Sequence, residues 1–328
     1  MADDEDMGDP IEDNEEPEKM QVTPLKEFLA LLKGGREQIV QWYDEYNQRP
    51  PRFESFLQNM SKNRYPNVIL YDHSRVILKD KYDKNDYIHA SWVDSFDRRS
   101  GYILCQAPFD DYTDRDFWRM CTMVKPLLII VLTATHAGEK RLIRQFWPTQ
   151  HTMKDVTGKG GIMIKCANME NERDHDRYEI IIEEAKKAVA SPPLLQYNSW
   201  TEDRKLPDNL LEFRASVKIA VACAMNKGKK GEKTEDKEDK KEPTVGPVLL
   251  VCPSGVHRSG TFAGLDIILE RIGGERKVGL AESVTLIREQ RYGAFTHFDH
   301  YAGIADIMLR HVVSSNMVSA DTIGKGKG

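Results

Sequence analysis

The chain has 328 residues, 40% of them hydrophobic and 30% charged, so it is long enough to bury a sizeable core. Its formal net charge of -5 argues against bulk electrostatic attraction to nucleic acid or to an anionic membrane. The longest apolar run, "LLIIVLTA" from Leu127, has the length of a buried strand and is too short to insert into a membrane. The N-terminus shows no secretory pattern and the five cysteines have no CxxC spacing, so we expect a cytoplasmic protein without disulfides.

Three segments have a composition typical of solvated, disordered chain. Residues 1–22 form an acidic tail with ten Asp or Glu, and residues 226–243 form an insert with seven Lys, six Asp or Glu and no apolar residue. Residues 315–328 are expected to be a flexible C-terminal tail. Solvation is the simpler interpretation of the tail and the insert, and docking of a partner through either segment is the alternative. The folded domain is therefore predicted to span residues 23–314.

Hydrophobic periodicity predicts a large sheet with helices at both ends of the chain. Two short helices are expected between Pro24 and Phe56, with further helices over residues 114–124 and 210–225. Strand signals cover residues 68–93, 101–108, 127–134, 146–148, 160–169 and 177–185. The pattern predicts one domain of the α/β class, with a twisted mixed β-sheet flanked by α-helices.

The stretch "VCPSGVHRSG", residues 251–260, places Cys252 between a strand-like run and a helix-like run, with Arg258 six positions later. Backbone N–H groups at a helix N-terminus bind anions, and the arginine fork can grip two phosphate oxygens. The same positive field favours a thiolate at Cys252 that can attack phosphorus, and Ser259 can hydrogen-bond the sulfur. A buried cysteine that ends a strand, with an arginine at a helix start, is the alternative. The expected phosphate-binding positions are Ser254, Gly255, Val256, His257 and Gly260.

Several sequence blocks, in order, resemble those of the phosphotyrosine-specific protein phosphatases. The loop resembles the family's HCSAGVGRTG, "KNRYPNVILYDHSRVIL" resembles KNRYxDVxxxDxSRVxL, and "NDYIHASWV" resembles NDYINAS. "YILCQAP", "TDRDFWRM", "QFWP" and "REQRYGAF" resemble YIATQGP, TxxDFWRM, QYWP and RxQRxGMV. The resemblance covers about residues 35–312 and implies one phosphatase domain, with phosphotyrosine proteins as partners and no metal or organic cofactor.

Departures from the family pattern fall in the loop itself. Val251 replaces a histidine that supports the thiolate, and Pro253 removes one N–H from the cradle. His257 replaces a glycine that lets the backbone turn tightly around phosphate. A catalytic role for His257 and a tolerated surface substitution are both open.

The resemblance also implies roles outside the loop. "SWTEDRKLPD" matches the family's mobile lid, so Glu202 or Asp203 is expected to be the general acid that protonates the leaving phenolate. Thr296 and His300 stand where the family has glutamines that position water. The absence of these glutamines should slow hydrolysis of a phosphocysteine.

The resemblance implies substrate-recognition roles for Tyr65 and Asn67, and an ordinary packed tyrosine is the alternative for Tyr65. Tyr65 matches the aromatic residue that stacks on the phosphotyrosine ring. Asn67 replaces an aspartate that holds the substrate backbone, so it keeps a hydrogen bond without the charge.

Three functions remain open from sequence alone. The first is a protein-tyrosine phosphatase of reduced activity that works through a phosphocysteine intermediate. The second is a pseudophosphatase that binds phosphotyrosine proteins without turnover. The third is a scaffold whose pocket is vestigial and whose tail and insert bind partners.

Overall fold

A computed structural model of the protein describes residues 23–31, 33, 35, 37, 39–40, 52–158, 160–201, 204–231 and 245–317. The described strands are β1 (Thr23–Pro24), β2 (Arg75–Ile77), β3 (Tyr87–Val93), β4 (Tyr102–Gln106), β5 (Leu128–Val131), β6 (His136–Ala137), β7 (Lys140–Arg141), β8 (Met153–Asp155), β9 (Ile162–Asn171), β10 (His175–Glu184), β11 (Lys187–Ala190), β12 (Pro193–Tyr197), β13 (Val248–Cys252) and β14 (Lys277–Val278). The described helices are α1 (Leu25–Leu31), α2 (Glu54–Gln58), α3 (Asp111–Val124), α4 (Leu210–Gly231), α5 (His257–Glu275), α6 (Leu280–Gln290) and α7 (Phe298–Ser314).

A ten-stranded sheet forms the centre of the molecule. Its order is β2-β3-β4-β13-β5-β12-β10-β9-β8, with β11 paired to β10. The four central strands β4, β13, β5 and β12 run parallel, and the flanking strands are antiparallel. All five residues of β13 are buried, as expected for a parallel strand covered on both faces. The α/β class and the mixed sheet are confirmed.

Each face of the sheet is covered by its own helices. Helices α4, α5, α6 and α7 pack on one face, and α3 packs on the other. Alternation along β13 turns Leu250 and Cys252 toward the first set and Leu249 and Val251 toward α3. Val251 therefore lies in an apolar core, where valine packs without an unpaired polar atom.

The local sequence explains where helix α3 begins. The Asp110 side chain accepts a hydrogen bond from the Thr113 N–H at 2.8 Å, and the Thr113 hydroxyl is 3.1 Å from the Asp110 N–H that donates to it. This reciprocal capping satisfies two N–H groups that the helix leaves unpaired. Within the described ranges, no helix combines the length and apolar character that crossing a bilayer requires.

Some predicted bounds were wrong. The strand signal over residues 68–93 covers two separate strands, β2 and β3, and residues 78–86 between them belong to neither. Residues 146–148 form no strand; Phe146 and Trp147 are instead buried against α3. Helix α4 continues to Gly231, six residues into the predicted insert at 226–243, because an established helix adds residues without a new nucleation cost. The acidic tail, residues 232–244 and most of the C-terminal tail lie outside the described residues.

Candidate active site

Cys252 ends strand β13 where the loop to helix α5 begins. Its side chain is fully buried, and the Gly255 N–H donates to the Cys252 carbonyl at 3.1 Å and to the sulfur at 3.2 Å. Helix α5 starts two residues later, at His257. The loop therefore brings a thiol to the positive end of a 19-residue helix, where backbone N–H groups can bind an anion.

Gly255 makes the turn of the loop possible. Its φ is +67°, and a Cβ at this position would lie 2.3 Å from the Gln106 nitrogen and 2.4 Å from the Cys105 carbonyl carbon. A side chain is excluded both by the backbone conformation and by the neighbouring strand β4. The loop is thus packed tightly on the end of β4.

The Ser254 hydroxyl lies within the loop. Its oxygen accepts hydrogen bonds from the Val256 N–H at 3.3 Å and the His257 N–H at 3.4 Å, and it is 3.9 Å from the Cys252 sulfur. Pro253, which contributes no N–H, is half-buried. Two of the donors that the sequence assigned to phosphate, the Val256 and His257 N–H groups, therefore already have an oxygen partner within the chain.

Arg258 is buried, and its guanidinium donates to main-chain carbonyls. Nη1 is 2.7 Å from the Trp200 oxygen and 3.3 Å from the Leu132 oxygen, and Nη2 is 3.4 Å from the Thr201 oxygen. The arginine thus links the first turn of α5 to the end of β5 and to the start of the predicted lid. The predicted grip on phosphate oxygens stays a prediction.

The two residues after Arg258 lie inside the core. Ser259 is fully buried, and its hydroxyl has no hydrogen-bond partner in the part of the chain that the structure describes. The hydrogen bond that the sequence suggested from Ser259 to the sulfur is therefore not formed, and the Gly255 N–H takes that place. A Cβ at Gly260 would lie 3.0 Å from the Ala294 Cβ, so this glycine permits close packing of α5.

Arg291 supports the loop from behind. Its Nε donates to the Gly255 carbonyl at 3.0 Å, and Nη2 donates to the Ser254 carbonyl at 3.3 Å and to His89 Nδ1 at 2.9 Å. Complete burial lowers the pKa of Arg291 to about 10, so it remains a cation at neutral pH. A positive charge is held directly beneath the cradle by neutral acceptors.

His89 connects this arginine to the predicted substrate-recognition loop. Because Arg291 can only donate, His89 Nδ1 is the acceptor and Nε2–H donates to the Val68 carbonyl at 2.8 Å. Burial, together with the charge of Arg291, lowers the pKa of His89 to about 3. A neutral imidazole of fixed tautomer therefore joins the cradle to residues 62–68.

Gln106 makes a second connection to the same loop. Its side-chain oxygen accepts from the Arg64 N–H at 3.0 Å and its nitrogen donates to the Lys62 carbonyl at 2.6 Å. Gln106 pairs with Cys252 in the sheet register, so it holds residues 62–64 against the end of β13 that carries Cys252. Tyr65 is half-buried and Asn67 is exposed in that loop.

Three imidazoles lie near the start of α5. The ring centroids of His257 and His297 are 4.4 Å apart, and those of His297 and His300 are 5.6 Å apart. The Thr261 hydroxyl donates to the His257 carbonyl at 2.7 Å and lies 2.9 Å from His300 Nδ1. Because the hydroxyl has only one hydrogen to donate, His300 Nδ1 carries a proton and donates to the hydroxyl oxygen. His300 is fully buried, 5.7 Å from the Trp200 ring, and Thr296 is exposed.

The two candidate general acids, Glu202 and Asp203, lie outside the described residues. Within the described ranges, no group of three or more His, Cys, Asp or Glu side chains is arranged to hold a metal ion.

Sequence reasoning missed the residues that support the loop, namely His89, Gln106, Thr261, Arg291 and His297. Three of them lie in blocks already quoted: "NDYIHASWV", "YILCQAP" and "REQRYGAF". For His89 and Gln106 the available signal is a polar residue inside a strand-like block, because a buried polar group needs a partner.

Comparison with known proteins agrees with this geometry. The sequence profile of the family described as Protein-tyrosine phosphatase matches residues 59–310. Receptor-type tyrosine-protein phosphatase S of Gallus gallus is 28% identical over 269 residues, which cover 79% of this chain and 16% of that protein. Tyrosine-protein phosphatase Lar-like of Caenorhabditis elegans is 31% identical over 264 residues, covering 79% and 11%, respectively. Receptor-type tyrosine-protein phosphatase C of Homo sapiens is 26% identical over 299 residues, covering 86% and 21%. The chain thus spans about a fifth or less of these relatives' length.

Proposed function

Because the chain belongs to the protein-tyrosine phosphatase family, we propose that it hydrolyses phosphotyrosine in proteins through a phosphocysteine intermediate, at a reduced rate. The observation that carries the proposal is the position of the Cys252 sulfur, 3.2 Å from the Gly255 N–H at the start of helix α5. A thiolate held there faces the positive end of the helix and has the buried Arg291 cation beneath its loop.

The proposed reaction has two steps. In the first, the Cys252 thiolate attacks phosphorus, the bond from phosphorus to the tyrosine oxygen breaks, and Glu202 or Asp203 gives the phenolate a proton. In the second, water attacks phosphorus and gives a proton to the carboxylate left by the first step, the phosphorus–sulfur bond breaks, and the thiolate returns with release of inorganic phosphate. Arg258 supplies charge to the phosphoryl oxygens in both steps.

Several residues support the reduced rate. Pro253 contributes no N–H to the cradle, and loss of one such donor costs about 100-fold or more in related oxyanion sites. Thr296 is exposed, and His300 is buried and held by Thr261. Neither side chain offers the amide that would hold the attacking water, so we expect the second step to be slower than the first.

Substrate recognition is assigned to the loop around Tyr65. Its half-buried ring would stack on the substrate's phenyl ring, and the exposed Asn67 would hydrogen-bond the peptide backbone. The links from Gln106 and His89 hold this loop at a fixed distance from Cys252. Partner docking through residues 1–22 or the Lys-rich insert remains a separate proposal.

The test is phosphate release from a phosphotyrosine peptide, followed from milliseconds to hours, with Cys252→Ser and Arg258→Met beside the wild type. A Cys252-dependent burst followed by slow turnover is expected. Cys252→Ser should abolish release and retain peptide binding. Equal release by the wild type and Cys252→Ser would refute thiol catalysis.

A pseudophosphatase is the second candidate, and the Arg258 contacts favour it. The two terminal nitrogens of its guanidinium hydrogen-bond three main-chain carbonyls, so they are poorly placed to stabilise the charge that develops on a transferring phosphoryl group. Such a protein would bind the peptide with no release above Cys252→Ser. Absence of peptide binding that depends on Arg258 would instead favour a scaffold.

A further inference from the structure

The Ser254 hydroxyl occupies the place of an acceptor at the start of helix α5. It takes the Val256 N–H at 3.3 Å and the His257 N–H at 3.4 Å, and it lies 3.9 Å from the Cys252 sulfur. The side chain is 8% exposed, so these contacts lie within the interior of the loop. One oxygen is therefore close both to two helix-start donors and to the nucleophile.

A phosphoryl group poised for attack would need the same space. Its phosphorus would lie about 3–3.5 Å from the sulfur, and its oxygens would take backbone N–H groups at about 2.7–3.2 Å. A backbone N–H has one hydrogen and serves one acceptor well. The Ser254 hydroxyl and a phosphoryl oxygen thus require the same two donors.

The local sequence explains why the serine takes this role. Val256 is the residue that precedes α5, and its side chain cannot accept a hydrogen bond. Gly255, with φ +67°, turns the chain so that the serine two residues before the N-cap reaches the helix end. Ser254 therefore supplies the hydrogen-bond acceptor that an N-cap side chain usually provides.

We propose that Ser254 is an internal competitor for phosphate, whose hydroxyl caps α5 until an oxyanion displaces it and thereby sets the affinity of the loop. The inference rests on the proposed function, because it requires that the loop bind phosphate. Displacement needs only rotation about the Cα–Cβ bond, and a dianion makes charge-assisted hydrogen bonds that exceed the two long bonds of the hydroxyl. The exchange lowers phosphate affinity without blocking the site.

The experiment measures binding of inorganic phosphate to the full chain by calorimetry at constant ionic strength. Ser254→Ala is expected to bind phosphate about three- to tenfold more tightly, since two weak hydrogen bonds no longer compete. Ser254→Thr keeps a hydroxyl and should bind as the wild type does. Ser283→Ala removes a buried serine of α6 that takes no part in the loop's hydrogen bonds, and it should also leave affinity unchanged.

The rise of Tm with phosphate concentration gives the same affinity ratio by an independent measurement, and it applies even if loss of the cap lowers the starting Tm. Equal or weaker binding by Ser254→Ala would overturn the role of Ser254 while the proposed function stands, provided that Arg258→Met still abolishes binding. Absence of binding in every variant would overturn the competitor and the phosphate cradle together.

Discussion

Acid pH should destabilise the fold through His89, the buried imidazole between Arg291 and Val68. In the unfolded chain its pKa is about 6.5, whereas burial and Arg291 lower the pKa of the folded group to about 3. Between these values the unfolded chain binds a proton that the folded protein does not. Stability from this residue is therefore complete above about pH 6.5 and is lost as the pH falls toward 3.

The size of the effect follows from the two pKa values. Lowering the pH from 7 to 5 favours the unfolded state by about 2 kcal/mol, because pH 5 lies about 1.5 units below the pKa of the unfolded imidazole. His89→Asn keeps one acceptor and one donor but cannot titrate. Its unfolding free energy, measured in urea, should lose about 2 kcal/mol less than the wild type over that interval.

The matched control is His136→Asn, which changes an exposed histidine of β6. It makes the same change of imidazole to amide at the surface, and the pH-dependent effect of His89→Asn is measured relative to it. If the difference between wild type and His89→Asn does not change with pH by more than about 0.5 kcal/mol, a neutral, buried His89 is refuted.

Three further substitutions test the support of the loop. Gly255→Ala should lower the free energy of unfolding by about 3 kcal/mol, because the added Cβ would clash with the Gln106 backbone and φ is +67°. An unchanged Tm would contradict the tight packing of the loop. Thr261→Val should cost about 1–2 kcal/mol in urea unfolding, because His300 Nδ1–H loses its acceptor, and no loss would contradict the assigned tautomer. Arg291→Met should cost about 3 kcal/mol and weaken phosphate binding, and calorimetric affinity equal to the wild type would refute its role beneath the loop.

The main elements were predictable because their local and tertiary requirements agree. The apolar run ending at Cys252, the glycine at 255 and the helical periodicity after it together indicate a strand, a turn and a helix. Residues 146–148 were wrongly predicted to form a strand, because aromatic side chains are also common in buried segments that lie outside a β-sheet. A short apolar run does not distinguish these two cases.

The contacts within the site could not be predicted in the same way. Residue type shows that Arg258 can bind an anion, but its bonds to the Leu132, Trp200 and Thr201 carbonyls depend on how the end of β5 and residues 200–201 meet. The position of the Ser254 hydroxyl depends on one rotamer. Such choices are made by packing across elements far apart in the chain.

The two parallel neighbours of strand β13 determine how the end of that strand can move. Val248 begins β13 and Cys252 ends it, about 13 Å away, and β4 and β5 hold the strand on both sides. A sequence change before Val248 therefore reaches the thiol only through a strand that two neighbours keep in register. This part of the chain can change while Cys252 keeps its place.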